Sequence, residues 1–524
     1  MDSAIKFRDQ QRRHGTSRGS GGGSVVMTVL SAFMMLVVVW LTFLGYCWYA
    51  GILQGEHFDS QTLRYVDKVL NETESVIEHL HMPHMADMAS RGSGIHLSKD
   101  GNNDNDKGKL LSRGTVAEPK VQVRQKKKEE IHVVFSTDCT PYQDWQTIVL
   151  FHSATVVGQE GGITRIASGC DDEKKKKLVD LYAKLYPDFG VHFTPDFKKD
   201  EKTKKKYDFY NKPWGVRHWL DHAEPAVADD VVVALLDPDM IFLRPLTVEV
   251  RSQNNNIFAK RIDKNEIIDR VVEGRPVAQL YGLGAPWTND NHKKFNRHKI
   301  CGEGSPCLEP NDYFGARHYS VGPPYIAHKA DLSRITETWT KFVPRVYEGY
   351  PYLLAEMYAY SMAAAHEKLP HLQVEHHMVS NVDVDPGEGW PWVDQLSDGC
   401  VPPDENGIFY KDQPLPTVMH YCQFFRAGEI GFQKRRVPKD IFSCDQPMMM
   451  EPPIDLSHTD YRVRNGKIEK LGPKAVKRNA FAICVIHRSI NAAVIDYKKR
   501  MCGENDIINM EKTVNVNPNK NNQY

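Results

Sequence analysis

The sequence predicts an α/β fold with a Rossmann-like sheet, behind a single N-terminal transmembrane helix. Short apolar runs alternate with segments of helical spacing for about 110 residues after Ile131, and that alternation is typical of a sheet covered by helices. Val25–Leu53 contains no charged side chain, and a membrane span needs about 20 apolar residues. Basic and acidic residues number 67 each, so no net positive charge favours nucleic acid as a partner.

The charges around the apolar run predict its orientation. The residues before it carry an excess of positive charge, from Lys6, Arg8, Arg12, Arg13 and Arg18 against Asp2 and Asp9. By the positive-inside bias, the N-terminus lies in the cytosol and the chain after Leu53 lies in the lumen. A cleaved signal peptide is the alternative, but its apolar region usually has only about 7–15 residues. The run therefore predicts an uncleaved signal anchor and a type II topology.

Five segments are expected along the chain. They are a cytosolic tail (1–24), a transmembrane signal anchor (25–53), a luminal stem (54–130), a globular domain (131–455) and a peripheral C-terminal extension (456–524). The stem is expected because its polar stretches lack apolar periodicity. Within the extension, Phe481–Val494 is apolar enough to form one docking helix.

One sequon and the cysteines agree with a luminal location. Asn71-Glu72-Thr73 is a site for N-glycosylation. Of the ten cysteines, Cys47 lies in the span and the others follow it, with Cys301 and Cys307 closest to each other in sequence. A lumen permits disulfides. Because the number after the span is odd, at least one thiol is expected to be free or paired between chains.

The elements of the globular domain are predicted in chain order from apolar spacing. They are a strand at Ile131–Ser136, a helix around Trp145–His152, a strand at Ile163–Ala167, a helix around Leu178–Leu185, a helix around Lys212–Leu220 and a strand at Val231–Leu236. The last strand is apolar on both faces, which is typical of a parallel sheet covered on both sides by helices.

Asp237-Pro238-Asp239 directly follows that buried strand. Ligands of open α/β sheets bind at the carboxyl ends of the strands, and two carboxylates there can hold Mn²⁺ or Mg²⁺. The same Asp-x-Asp pattern occurs at Asp104–Asp106 and Asp383–Asp385, but neither follows a buried strand. A turn or helix-capping role for the two aspartates is the alternative. The context favours a metal site at Asp237 and Asp239.

Seven segments occur in one order between about Ile131 and Pro453. They are Asp144-Trp145-Gln146-Thr147, Gly161-Gly162-Ile163-Thr164-Arg165, Asn211-Lys212-Pro213-Trp214-Gly215-Val216, Leu236-Asp237-Pro238-Asp239-Met240-Ile241, Pro323-Pro324-Tyr325-Ile326, Glu356-Met357-Tyr358-Ala359-Tyr360 and Met419-His420-Tyr421. In these segments the chain resembles the plant and algal family of hydroxyproline O-arabinosyltransferases and peptidyl-serine α-galactosyltransferases. The resemblance implies a GT-A catalytic domain over 131–455, a UDP-sugar donor and a location in the Golgi membrane, with the ER as the other compartment.

The same resemblance implies a retaining, metal-dependent transferase. Its acceptor would be a serine or hydroxyproline hydroxyl of a secreted or cell-wall glycoprotein. Phe425–Pro453 resembles the galactosyltransferase branch, whereas Pro238 resembles the arabinosyltransferase branch, so both UDP-galactose and UDP-arabinofuranose stay open. The alternative is a catalytically silent, membrane-anchored sugar-binding or scaffold protein on the same fold. Intact Asp237 and Asp239 argue against it.

The metal-ligand and catalytic candidates come from local residue patterns and from the family resemblance. The resemblance implies that His420 completes the metal site, although a single histidine is more often structural. Asp239 and Glu356 are the catalytic candidates. Glu356 lies beside the apolar face of a predicted helix, where a carboxylate needs a partner. An ordinary salt bridge is the alternative for Glu356.

Four further residues are candidates for contact with the nucleotide. Gly161 and Gly162 would allow the backbone to approach it closely, with Arg165 near a phosphate. A tight turn with a structural arginine is equally open. Lys212 would reach the diphosphate, but a simple helix N-cap at Asn211 is the alternative. A separate cluster, His371, His376 and His377, lacks regular ligand spacing and is expected to be surface or satisfied core histidines.

Overall fold

The computed structural model describes residues 131–201, 204–250, 257–464, 466–503 and 513–516. The tail, anchor and stem predicted over residues 1–130 lie outside the described residues, and so does the sequon at Asn71. The descriptions below concern the described part of the chain.

Strands and helices alternate through the described residues. The strands are β1 (Ile131–Asp138), β2 (Ile163–Ser168), β3 (Phe189–Thr194), β4 (Val232–Leu236), β5 (Met240–Phe242), β6 (Val277–Leu280), β7 (Val321–His328), β8 (Leu372–Val374), β9 (Met378–Val379), β10 (Val418–His420), β11 (Phe425–Ala427), β12 (Ile430–Phe432), β13 (Met448–Met449), β14 (Tyr461–Arg464), β15 (Lys467–Lys470) and β16 (Thr513–Val514).

The α-helices are α1 (Pro141–Val156), α2 (Asp172–Leu185), α3 (Asn211–His222), α4 (Arg297–Cys301), α5 (Asp312–His318), α6 (Lys329–Gly349), α7 (Ala355–His366), α8 (Trp390–Asp394) and α9 (Pro473–Met501). Short 3₁₀ turns lie at Asp208–Tyr210, Lys264–Glu266, Pro286–Thr288, Pro306–Leu308, Lys434–Arg436 and Ile454–His458. All six elements predicted between residues 131 and 236 are confirmed. β3 was not predicted, because its residues are mostly half-buried and form no continuous apolar run.

The central sheet has the strand order β3-β2-β1-β4-β7-β6-β8. β3, β2, β1 and β4 lie side by side in that order and are all parallel, whereas β7 runs antiparallel to both β4 and β6. The predicted α/β class is therefore confirmed, but the sheet is mixed. The apolar composition of β4 reports that both its faces are covered. That composition does not indicate whether a neighbouring strand is parallel or antiparallel. The antiparallel strand β7 was therefore not predicted from the sequence.

A second, smaller sheet has the order β5-β10-β9. β5 begins directly after Asp239, and it pairs antiparallel with β10, so that His420 lies opposite Met240. β9 lies on the other side of β10 and runs parallel to it. This sheet joins a segment that follows β4 to a segment found late in the sequence.

α9 is a core helix. Its 18-residue apolar window passes the length and composition test for a membrane span, but 72% of that window is buried inside the fold. Disulfides join Cys400 to Cys484 and Cys444 to Cys502, which ties the helix to the preceding chain. The helix predicted at Phe481–Val494 lies within α9. The expectation that this stretch is peripheral is wrong, because the helix buries side chains around most of its circumference.

Two further disulfides join Cys139 to Cys170 and Cys301 to Cys307, the pair closest in sequence. Among the described residues, Cys422 is the cysteine without a disulfide partner. This agrees with the odd number of cysteines after the apolar run.

Candidate metal centre

Two strand ends bring acidic residues and a histidine together. Asp237 follows β4 at the carboxyl end of the central sheet, and Asp239 precedes β5. The pairing of β5 with β10 places His420 beside Asp239, although the two residues are 181 positions apart in sequence. The backbone N–H of Tyr421 donates to the Asp239 carbonyl at 3.0 Å, which holds the two segments in this register.

The three side chains form a compact ligand set. Their ligand atoms all lie within 4.8 Å of one another. His420 Nε2 lies 3.2 Å from Asp239 Oδ1 and 3.9 Å from Asp237 Oδ2. Metal–ligand bonds of about 2.0–2.2 Å place ligand atoms on opposite sides of one ion about 4.4 Å apart, and both His420 distances are shorter than this. Two carboxylates and one imidazole at these separations fit a divalent cation such as Mn²⁺.

A buried lysine connects Asp237 to Glu356. Lys212 Nζ lies 2.7 Å from Asp237 Oδ1 and 3.0 Å from Glu356 Oε1. Lys212 and Glu356 each lie in the first turn of a helix, α3 and α7, and both are buried. Asn211 is not the N-cap of α3, because its side chain accepts a hydrogen bond from the Phe197 N–H instead. The structure thus brings together two candidates that the sequence proposed separately.

A second lysine at the site was missed by sequence reasoning. Lys434 Nζ contacts Asp239 Oδ2, and only 21% of its side chain is exposed. It lies in the 3₁₀ turn Lys434–Arg436, a run of basic residues, and such runs are usually solvated. Its one signal in the sequence is its position shortly after His420. No apolar pattern marks it as buried.

Charge compensation sets the protonation of the acidic and basic groups. Burial alone would raise the pKa of Asp239, but Lys434 and His420 outweigh it and hold that pKa well below its ordinary value. Burial would lower the pKa of His420, but Cys422 and Asp239 outweigh it and raise that pKa well above its ordinary value. Asp239 is therefore ionised at neutral pH, and cationic groups flank it.

The second carboxylate behaves differently. Burial raises the pKa of Glu356, and the attraction of Lys212 offsets that effect only in part. Burial would lower the pKa of Lys212, but Asp237 and Glu356 outweigh it and raise that pKa. Glu356 Oε1 binds Lys212, while Oε2 is buried and has no hydrogen-bond partner among the described residues. Lys212 is thus a fixed cation, and Glu356 is the first carboxylate of this group expected to protonate in acid.

Arg165 lies outside this cluster. Its guanidinium is fully buried on β2 and donates to Thr137 Oγ1 at 2.7 Å, Asp144 Oδ1 at 2.9 Å and Tyr182 Oη at 2.6 Å. A further N–H donates to the Asp138 carbonyl. These partners join β1, α1 and α2 to β2. The contacts favour the structural alternative for Arg165 over the predicted phosphate contact.

Gly161 and Gly162 lie at the opposite edge of the sheet from Asp237. The two glycines directly precede β2 and lie beside Ile131. Ile131 pairs with a β4 residue that lies four residues before the end of β4. Four residues of strand separate the two levels by about 13 Å. A Cβ on Gly161 would lie 1.7 Å from the Ile131 carbonyl oxygen, and Gly161 has a φ of 83°. Close backbone packing therefore explains these glycines, and it favours the tight-turn alternative over a contact with the nucleotide.

Comparisons with known proteins agree with the motifs. Residues 131–278 match the family model described as hydroxyproline O-arabinosyltransferase family N-terminal domain. The chain is 29% identical over 352 residues to a peptidyl serine alpha-galactosyltransferase of Arabidopsis thaliana, covering 65% of this chain and 36% of that protein. The predicted family resemblance is confirmed. A peptidyl serine alpha-galactosyltransferase of Chlamydomonas reinhardtii is 28% identical over 370 residues, covering 66% of this chain and 41% of that one.

The arabinosyltransferase branch of this family is also represented among the relatives. A hydroxyproline O-arabinosyltransferase of Pisum sativum is 24% identical over 270 residues, covering 49% of this chain and 66% of that protein. The chain spans less than half the length of the two galactosyltransferase relatives.

Similarity to solved structures is low. The galactosyltransferase LgtC, solved with donor and acceptor sugar analogs, has 11% sequence identity and a TM-score of 0.30, covering 56% of this chain and 87% of that one. The bifunctional glycosyltransferase WbbM has the same sequence identity and TM-score, and the match covers 56% of this chain and 46% of the WbbM chain. Because these scores are low, the α/β fold class is assigned from the strand order and strand pairing alone.

Proposed function

We propose that this protein is a metal-dependent, retaining glycosyltransferase of GT-A fold. It transfers a sugar from a UDP-sugar to a serine or hydroxyproline hydroxyl of a secretory-pathway glycoprotein. The observation that carries the proposal is the Asp237, Asp239 and His420 ligand set at the carboxyl end of β4, flanked by the buried Lys212 and the partly buried Lys434. The relatives named for the same two transfers support the reaction class.

The chemistry requires stabilisation of the leaving group. The bond between the anomeric carbon and the UDP oxygen breaks, and negative charge develops on the diphosphate. A bond to the acceptor oxygen forms, and the proton of the acceptor hydroxyl passes to the departing UDP. A divalent cation, Mn²⁺ or Mg²⁺, supplies electrostatic stabilisation of that charge when bound. Asp237, Asp239 and His420 would hold the cation, which leaves its remaining coordination positions for the donor.

The two lysines complete the stabilisation. Lys212 and Lys434 each hold a positive charge at the edge of the ligand set. Such preorganised cations stabilise developing charge without having to reorganise during the reaction. Glu356 then acts through Lys212, whose ammonium it fixes, and is a positioning residue. Asp239 is also a positioning residue, because it acts by holding the cation.

The cellular setting is part of the proposal. Four disulfides among the described residues support an oxidising compartment, because such bonds are rare in reducing ones. With the charge-free run at 25–53, this favours a single-span type II protein of the Golgi membrane, with the ER as the other compartment and the catalytic domain in the lumen. Neither branch of the family is favoured for the donor sugar.

A donor assay tests the proposal. The full chain, purified in detergent, is incubated with UDP-galactose or UDP-arabinofuranose and with serine- or hydroxyproline-containing peptides, in Mn²⁺ or in EDTA. We expect UDP release and a mass increase of the peptide with one donor, in Mn²⁺ only. Binding of a UDP-sugar without turnover of either donor would favour the catalytically silent sugar-binding protein.

A further inference from the structure

Tyr281 leaves the central sheet at the same edge as Asp237. β4 and β6 both run antiparallel to β7, which lies between them, so β4 and β6 run in the same direction. Asp237 follows β4 and Tyr281 follows β6. Two strand spacings of about 4.8 Å separate the two positions, which a tyrosine side chain can largely cross.

The Tyr281 ring is directed back across β7. A Cβ built on Gly322 would lie 2.3 Å from Cδ2 of Tyr281, so the ring lies directly against the Gly322 backbone. The β4–β7 ladder pairs Leu235 with Tyr325. Gly322 lies three residues before Tyr325 on β7, and because β4 and β7 are antiparallel this is the direction in which Asp237 follows Leu235. The ring therefore lies toward the edge of the sheet that carries Asp237, and glycine at 322 is what allows it.

Hydrogen bonds fix the backbone that carries this ring. The Tyr281 N–H donates to the Ser320 carbonyl at 3.0 Å, and Ser320 Oγ donates to the Tyr281 carbonyl at 2.7 Å. The side chain itself is half-buried, with one part packed on Gly322 and another part accessible. A half-exposed aromatic ring with a fixed backbone is a preorganised contact surface.

The strand that leads to Tyr281 contacts the loop after β9. Gln279 lies two residues earlier on the same face of β6, and its Nε2 donates to the Gly387 carbonyl at 2.9 Å. The next residue, Glu388, is buried and accepts from Ser380 Oγ at 2.8 Å. Burial raises the pKa of the Tyr281 hydroxyl, and Cys422, Asp237 and Glu388 raise it further, in agreement with a position between the metal centre and this loop.

We propose that the Tyr281 ring is the platform on which the transferred sugar of the donor lies. This inference rests on the proposed function, because it assumes a UDP-sugar bound at the metal centre. In this proposal the cation, Lys212 and Lys434 engage the diphosphate, which is flanked along the donor by the uridine on one side and by the transferred sugar on the other. We assign the sugar to the ring, and a contact with the uridine would instead weaken the binding of UDP as well. Pyranose and furanose rings present C–H groups on one face, and an aromatic face packs against them.

Paired binding measurements isolate the sugar contact. The full chain in Mn²⁺ is titrated calorimetrically with UDP, UDP-galactose and UDP-arabinofuranose, for wild type, Tyr281→Ala, Tyr281→Leu and Tyr281→Phe. UDP carries the uridine and the diphosphate but lacks the transferred sugar. We expect Tyr281→Ala and Tyr281→Leu to weaken the binding of the UDP-sugar by about tenfold while the Kd for UDP stays unchanged. Tyr281→Phe keeps the ring and should stay within about twofold of wild type.

Gly282→Ala is the matched control, because a Cβ at that neighbouring position meets no atom within 4 Å. Thermal melts on every variant identify those that remain folded. The phenylalanine variant nearly keeps the side-chain volume, and the leucine variant keeps an apolar side chain without the ring. Equal weakening of UDP and UDP-sugar, or no weakening of either, would overturn the platform while leaving the proposed function intact. Failure of the wild type to bind any of the three nucleotides would overturn the proposed function and this inference together.

Discussion

Arg165 and Lys212 are both buried cations next to the central sheet, but their surroundings differ in one decisive way. The Arg165 guanidinium is enclosed by Thr137, Asp144 and Tyr182, which use most of its donors. Lys212 is shared between Glu356 and Asp237, and Asp237 also belongs to the ligand set with Asp239 and His420. Exposure does not separate the two clusters, since Asp144 is 18% exposed and Asp237 is 20% exposed. The closed cluster around Arg165 only joins elements of the fold, whereas the open cluster around Lys212 shares a carboxylate with the ligand set and can therefore act on a ligand there. Buried charge alone does not distinguish them.

The largest effect should follow from the open cluster. Asp239→Asn keeps the size of the side chain but removes the charge that a metal ligand needs, and we expect transfer to fall by about a thousandfold or more. Initial rates at saturating Mn²⁺ measure this. Asp172→Asn, on the exposed surface of α2, is the control and should keep full activity. An Asp239→Asn protein with wild-type activity in EDTA would remove the metal from the mechanism.

The closed cluster should respond in stability. Arg165→Met removes a buried cation that joins β2 to three other elements, and we expect the free energy of unfolding to fall by about 3 kcal/mol or more. Urea unfolding of the variant measures this. Arg217→Met is the control, because Arg217 forms a surface pair with Asp221 on α3. Wild-type stability of Arg165→Met, with lost affinity for UDP, would instead return Arg165 to the nucleotide site.

The comparison also explains what the sequence could predict. Asp237 and Asp239 were predictable because a buried strand followed directly by two carboxylates is a local pattern. The placement of Gly161 was also open to correction from sequence, since it precedes a strand, whereas Asp237 follows one. In parallel strands those positions lie at opposite edges. The sequence left Arg165 open between a phosphate contact and a structural role, because its partners come from other elements.

The remaining site residues depend on long-range pairing. His420 reaches Asp239 only because β10 pairs with β5, which no local spacing reports, so the family resemblance was its only support. Lys434 lies in a 3₁₀ turn outside this pairing, and its position shortly after His420 was its only signal in the sequence. Tyr281 is located by the antiparallel β7 between β4 and β6. The sequence did not predict that strand's direction, and the Tyr281 position could not be derived without it.

The metal ligand at His420 should show an intermediate effect. His420→Ala removes one of the three ligands, and we expect the apparent affinity for Mn²⁺ to fall by about 10- to 100-fold. Excess Mn²⁺ should restore part of the activity, because mass action offsets a weaker site. Activity measured against Mn²⁺ concentration, with thermal melts, separates this from a structural defect. His298→Ala, in a surface pair with Glu303, should change neither quantity.

An unchanged Mn²⁺ midpoint in His420→Ala, together with a lowered melting temperature, would leave His420 as a structural residue. The open cluster would then hold its cation through Asp237 and Asp239 alone.

The smallest effect should come from Glu356, and its pH dependence is the sharpest test of the open cluster. Glu356→Gln keeps the shape but leaves Lys212 with Asp237 as its only carboxylate partner, so we expect about a tenfold loss in kcat/KM for the donor. In the wild type, burial raises the pKa of Glu356, so this carboxylate protonates at a higher pH than an ordinary glutamate. Protonation removes its charge from Lys212, and activity should therefore fall as the pH falls through that raised value.

The glutamine variant cannot undergo this protonation. The activity of this variant is already reduced at neutral pH. It should not show the further decrease that the wild type shows as the pH falls through the raised pKa of Glu356. Glu337→Gln, which breaks a surface pair with Lys341 on α6, should keep the wild-type profile. If Glu356→Gln and wild type fall along the same acid limb, the titrating group is elsewhere in the cluster. Glu356 would then be only a packing partner of Lys212, and the Lys212 cluster would be as structural as the one around Arg165.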